Sequence, residues 1–157
     1  MDTTNHRFFV RELREPDFYG GYINLLKDGF QIDPDTISID DFRYFRCNQK
    51  TKTFVVEDRE KQVGDGSSNY IVASATIFVE QKLIHNMGKV GHIEDVVVSS
   101  GLRGNGLGKL IVNRCIDYAN DQGCYKCILD CSEKNVAFYK KCNEGFQVKG
   151  VEMALYY

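Results

Sequence analysis

The sequence predicts an α/β (α+β) fold in which a mixed, mostly antiparallel central sheet is flanked by about four helices. The first observation behind this is a pair of long alternating segments, KTFVVED and YIVASATIFVE. They are joined by the Gly/Ser/Asp-rich stretch REKQVGDGSSN, the signature of an antiparallel hairpin. The second is the order strand, glycine-rich turn, helix, strand in VGHIEDVVV, SSGLRGNGLG, KLIVNRCIDYANDQ and CYKCILDC. The third is size: 157 residues, 43% of them apolar and only two of them proline, suit one domain over 1–157 with one full core.

Along the chain, RFFVREL (7–13) reads as a strand and 18–26 as a helix, followed by KDGFQIDPD as a loop. Ser38 with Asp41 three residues later has capping-box spacing and starts a second helix through IDDFRYFRC. After the hairpin come a strand over 90–98 and a helix that stops at Gly123. Leu107, Leu110, Ile111, Cys115 and Tyr118 give this helix its apolar face, and Gly123 is placed as its left-handed cap. CYKCILDC is then a strand, 135–142 a short helix, and FQVKGVEMALYY extended structure closing the chain.

Twenty Lys+Arg against 22 Asp+Glu leave a net charge of −2, which lacks the basic stripe of a nucleic-acid-binding module. The polar start MDTTNH lacks the pattern of a secretory signal, and no apolar run is long enough to span a membrane. A cytoplasmic protein is expected. Its six cysteines are then reduced thiols, mostly inside apolar segments where they act as small hydrophobes. Cys124 and Cys127 form a CxxC, but no second pair or HxxxH completes a ligand set, so no metal is expected.

The chemistry centres on the glycine-rich turn. Arg103 stands where a P-loop needs its first glycine, and Gly104, Gly106 and Gly108 are spaced GxGxG rather than GxGxxG. Two readings remain open. One is a cradle of backbone N–H groups for a pyrophosphate, opening a helix and flanked by Arg103 and Lys109. The other is a tight strand-to-helix turn that needs glycine for its backbone alone. Just upstream, Glu94 and Asp95 interrupt an apolar strand. Regular alternation points them to opposite faces, whereas a bulge brings both toward a cleft.

HIEDVVV, RGNGLGKL, CYKCILDC and NVAFYKK together resemble the GNAT superfamily of N-acetyltransferases, and R-G-N-G-L-G at 103–108 matches its pyrophosphate loop. KLIH at 82–85, HIEDVVV at 92–98 and the run 124–142 resemble the glucosamine 6-phosphate N-acetyltransferases within it. The resemblance implies the GNAT fold, its sheet splayed at a bulged strand, and acetyl transfer from acetyl-CoA to the amine of glucosamine 6-phosphate. Transfer is direct in a ternary complex and serves UDP-N-acetylglucosamine synthesis. A homodimer is implied, with no nucleic-acid or membrane partner.

Residue by residue, the resemblance places pantetheine along Val96, Val97 and Val98, with the acetyl oxygen on the N–H of Val96 or its neighbour. The pyrophosphate falls on Arg103, Gly104, Asn105, Gly106, Leu107, Gly108 and Lys109, and Asn135 contacts CoA. Glu94 is favoured as the base, through a water, with Asp95 and Asp130 orienting the sugar amine or sharing the task. Tyr139 donates to the leaving sulfur. Lys82 and His85 bind the phosphosugar, while His92 is expected to be structural.

Three departures stand against this pattern. KDGFQIDPD offers no threonine for the sugar before Thr36, Asn143 and Glu144 lengthen the turn after Cys142, and Tyr156 stands where relatives carry an arginine. The rival readings are a GNAT acetyltransferase for another amine (a polyamine, an amino acid or a protein N-terminus) and a CoA-binding module without catalysis.

Overall fold

The computed structural model describes residues 7–64 and 69–157. The polar start with His6 and the centre of the expected hairpin connection lie outside the described residues. Five strands form one sheet in the order β1-β2-β3-β4-β5. They are β1 (Phe8–Glu12), β2 (Thr51–Asp58), β3 (Ile71–Gln81), β4 (Lys89–Val98) and β5 (Cys124–Ile128). The first four run antiparallel to their neighbours, and β5 lies parallel to β4.

Strand alternation sends Phe54 and Val56 to one face and Val55 to the other. On the first face packs α5 (Leu107–Asp121), burying Leu107, Ile111, Val112, Cys115 and Ala119 at helical spacing. The second face is covered by α1 (Tyr22–Phe30) and α2 (Ile39–Arg46), through Tyr22, Leu25 and Phe42. Three shorter helices complete the set: α3 (Arg59–Gly64), α4 (Ile84–Met87) and α6 (Val136–Cys142).

Local signals explain α2 and α5. The Ser38 hydroxyl accepts the Asp41 N–H at 3.1 Å while the Asp41 carboxylate accepts the Ser38 N–H at 2.9 Å, the reciprocal pair that the spacing predicts. Gly123 ends α5 with φ of 73°.

α1 differs from expectation for a tertiary reason. Gly20 lies against the Tyr70 ring, where an added Cβ would sit 2.4 Å from Cζ, and Gly21 has φ of 96°. A 3-10 turn at Glu15–Phe18 therefore precedes the glycines, and the helix starts after them and continues through KDGF. That turn is held by charge: both guanidinium arms of Arg11 donate to Asp17 at 2.7 Å, and its Nε donates to Glu57 at 2.7 Å.

Two further expectations are corrected. The hairpin connection opens with helix α3, so it is not loop throughout. The closing segment joins no sheet among the described residues: 143–157 holds no helix or strand, Phe146 packs on the core beside Tyr139, and Val151, Met153 and Tyr156 are at least 90% exposed.

Candidate active site

The site is built on an irregularity in β4. Val97 faces Ser74 and Glu94 faces Thr76, so two residues of β4, Asp95 and Val96, stand against Ala75 alone. This is a β-bulge. Asp95 takes up the distortion with φ of 51°, a left-handed backbone that non-glycine residues avoid. The bulge breaks the alternation, and Glu94 and Asp95 are both exposed rather than divided between faces.

On the other side of β4, pairing with β5 ends at His92 and Ile128. From Ile93 to Val98, including Val96, Val97 and Val98, β4 has no strand partner on its β5 side among the described residues. Beyond the end of β5, Ile128, Asp130, Cys131, Tyr139 and Phe146 line a cleft of about 670 Å³ that continues along the tail as far as Glu152.

β4 leads into the glycine turn. Gly104 and Gly106 have φ of 84° and 79°, and nothing lies within 4 Å of a Cβ built on either, so their backbone is open to a ligand. Gly106 is the residue before α5, whose first N–H groups have no intrahelical acceptor. Gly108 has a separate reason: a Cβ there would meet the Phe138 ring at 2.7 Å. The Asn105 amide donates to the Leu102 carbonyl at 3.1 Å and closes the turn, while Arg103 and Lys109 are exposed beside it. A pyrophosphate therefore fits this cradle.

Burial pushes the Glu94 pKa up, and the Asp95 and Asp130 charges add to the shift. Burial likewise raises the Tyr139 phenol, as do Cys131 and Cys142. Tyr139 packs edge-on against Phe138 with centroids 4.9 Å apart. Asn135 precedes α6, yet its side chain makes no capping hydrogen bond and is exposed toward solvent.

Lys82 and His85 are not brought beside Glu94. Their backbone sits at the β3–β4 turn, more than five residues down β4 from Glu94, or roughly 17 Å at strand rise, although the Lys82 ammonium reaches back toward His92 through Glu80. Lys82 is ion-paired with Glu80, which also meets His92 Nε2 at 3.0 Å. His85 stacks on Tyr125 with ring centroids 4.4 Å apart, and His85, Asn86 and Met87 all have φ between 53° and 61°.

Sequence reasoning passed over Glu80, whose partner His92 comes from the neighbouring strand. It also passed over Asp28, which accepts the Ser100 N–H at 2.8 Å from another element and left no local trace.

The thiols divide by environment. Burial pushes Cys115 up to about 12 and Cys127 up to about 11, which suits inert hydrophobes. Cys47 and Cys131 are exposed, while the other four are buried or partly buried, so the cysteines are mostly covered as the sequence suggests. β5 ends at Ile128, so Cys131 is outside the strand that the sequence assigned to it.

The family model for the acetyltransferase (GNAT) family matches residues 9–143. The chain is 40% identical over 153 residues to a glucosamine 6-phosphate N-acetyltransferase of Dictyostelium discoideum, covering 85% of this chain and 94% of that one. It is 37% identical over 150 residues to the Arabidopsis thaliana protein of the same name, covering 96% and 97%. The crystal structure of the Arabidopsis enzyme superposes with a TM-score of 0.80 at 36% identity, over 96% of this chain and 98% of that one.

Proposed function

The chain belongs to the acetyltransferase (GNAT) family and is an acyltransferase of its glucosamine 6-phosphate N-acetyltransferase branch, and from that premise we propose how its residues carry out the reaction. It transfers the acetyl group of acetyl-CoA to the amine of glucosamine 6-phosphate, giving N-acetylglucosamine 6-phosphate and CoA. The observation that carries the mechanism is the parting of β4 from β5 after His92, beside the open glycine turn and the Glu94–Asp130 pair.

In this reading the backbone along Val96, Val97 and Val98 pairs with the pantetheine amides. The 103–109 loop and the start of α5 hold the pyrophosphate, and the Asn135 amide, spared from capping, contacts CoA. The N–H of Val96 or its neighbour receives the thioester oxygen as it gains charge. A preorganised donor of this kind is worth on the order of 10²–10³ in rate. Glu94 takes a proton from the amine through a water, and its raised pKa brings it nearer to a useful base. Asp95 and Asp130 orient the sugar. As the C–N bond forms and the C–S bond breaks, the Tyr139 hydroxyl gives its proton to the departing sulfur. With its pKa raised by burial the phenol is protonated at neutral pH and has that proton to give, and the phenolate it leaves takes up the proton that Glu94 removed from the amine.

The same proposal takes 1–157 as one domain working as a homodimer in the cytoplasm. The exposed apolar tail and the outer edge of β5 support a second copy, since apolar surface and an open strand edge otherwise invite aggregation. The free cysteines suit a reducing compartment. Among the described residues no helix is long and apolar enough to cross a membrane.

The test is acetyl-CoA turnover followed by mass spectrometry with glucosamine 6-phosphate, glucosamine, spermidine and a peptide amine in parallel. Acetylation of the phosphosugar alone is expected. Product from another amine overturns the substrate, and CoA binding without product overturns catalysis.

A further inference from the structure

α1 touches the irregular part of the site at three places. Tyr22, Leu25 and Gly29 recur on one face of the helix, and Tyr22 and Leu25 are buried in the same cluster as Val97. Burial pushes the Tyr22 phenol up and the nearby Ser74 side chain works against that shift, and Ser74 is the residue of β3 directly opposite Val97. Two turns further on, a Cβ built on Gly29 would stand 2.3 Å from Val97 Cγ2 and 3.2 Å from its Cβ. Beside it, Asp28 accepts the N–H of Ser100, two residues past the end of β4 and just before the glycine turn.

A glycine inside a helix loosens it, so this one calls for a packing reason. The reason is close approach: only a residue without a Cβ lets the last turns of α1 settle onto Val97. The left-handed Asp95 next to it is the kind of conformation that persists only where its surroundings over-determine it. Ladder pairing from β3 holds the bulge on one side, and α1 holds it from the sheet face.

We propose that Gly29 is a positioning residue for acetyl transfer: by seating α1 on Val97 it sets the aim of the bulge N–H groups that receive the acetyl oxygen. This rests on the mechanism above. Gly29 touches no substrate and acts through the Val97 side chain. A Cβ at 29 lifts the helix or pushes Val97, and with it the bulge, by a fraction of an ångström or more. Misplacement of about 1 Å costs on the order of 10²-fold in rate.

The test compares wild type, Gly29→Ala, Val97→Ala and the double variant for kcat, sugar KM, acetyl-CoA affinity by calorimetry, and thermal midpoint. Gly29→Ala is expected to lower kcat roughly tenfold or more while acetyl-CoA affinity changes little. In the Val97→Ala background, where the colliding methyl is gone, the same glycine substitution loses most of its effect, so the pair is non-additive. An unchanged kcat overturns the proposal. So does a kcat loss that is equal in both backgrounds, or one that merely follows the thermal midpoint. Wild-type turnover with glucosamine 6-phosphate reports separately on the substrate. If wild type prefers another of the amines, kcat is read with that amine and the comparison stands.

Discussion

Asp130 raises the pKa of Glu94 from across the gap where β4 and β5 part, although the two carboxylates belong to different segments of the chain. Burial is the larger cause, with Asp95 next. Glu94 must be ionised to accept a proton, so activity rises as pH climbs through its folded pKa. The acid limb of kcat/KM is therefore expected above the ordinary value of 4.5. Asp130→Asn removes one like charge, eases ionisation, and should move that limb to lower pH. A pH–rate series on both proteins checks it, and an unmoved limb removes either Glu94 as the base or Asp130 as its neighbour.

Tyr139→Phe keeps the ring that packs against Phe138 and deletes only the hydroxyl. Turnover is expected to fall about 10²-fold or more, in the range of general acid–base contributions, with acetyl-CoA affinity nearly unchanged. Steady-state kinetics with calorimetric titration separates the two quantities. Equal losses in both would assign Tyr139 to binding.

Gly106→Val attacks the cradle in two ways. The backbone there has φ of 79°, which valine resists, and the side chain would occupy space that is open. Acetyl-CoA affinity should drop at least tenfold, while sugar KM measured at saturating acetyl-CoA changes little. Unchanged titration calorimetry would remove the loop from cofactor binding.

Arg11 is a stability site. Its side chain is 7% exposed, and it neutralises Asp17 at 1% and Glu57 at 10%. Arg11→Met fills the volume but leaves buried Asp17 without its cation and Glu57 with only Arg59 at 3.8 Å among the described residues, a loss of about 3–5 kcal/mol. Urea denaturation should show it as a lower midpoint. A change under about 1 kcal/mol would mean that water reaches the acids.

What could be read from the chain divides by the range of the interaction. Ser38 with Asp41, and Gly123 at the end of α5, act within one turn, and both were legible. The two hairpin strands were legible for the same reason, because alternation is a property of each strand alone. The start of α1 was not, since it depends on Gly20 meeting Tyr70 from β3's approach, and no window around residue 20 contains that contact. In the site, the adjacent acids at 94 and 95 marked the bulge because they broke a pattern. Asp28 and Glu80 broke none, and their partners became visible only once α1 lay on β4 and β3 beside it.

The open flank of β4 bears also on how long the protein survives. A strand with one vacant side is a docking template for any extended chain, its own misfolded copies included. On the mechanism proposed above the co-substrate fills it, and is thus a guard as well as a reactant. A ligand at 100 times its Kd adds about 2.7 kcal/mol to the folded state. Abundance of the enzyme should then follow acetyl-CoA supply: starved of it, the protein becomes easier prey for proteases and aggregates sooner, before any change in its synthesis.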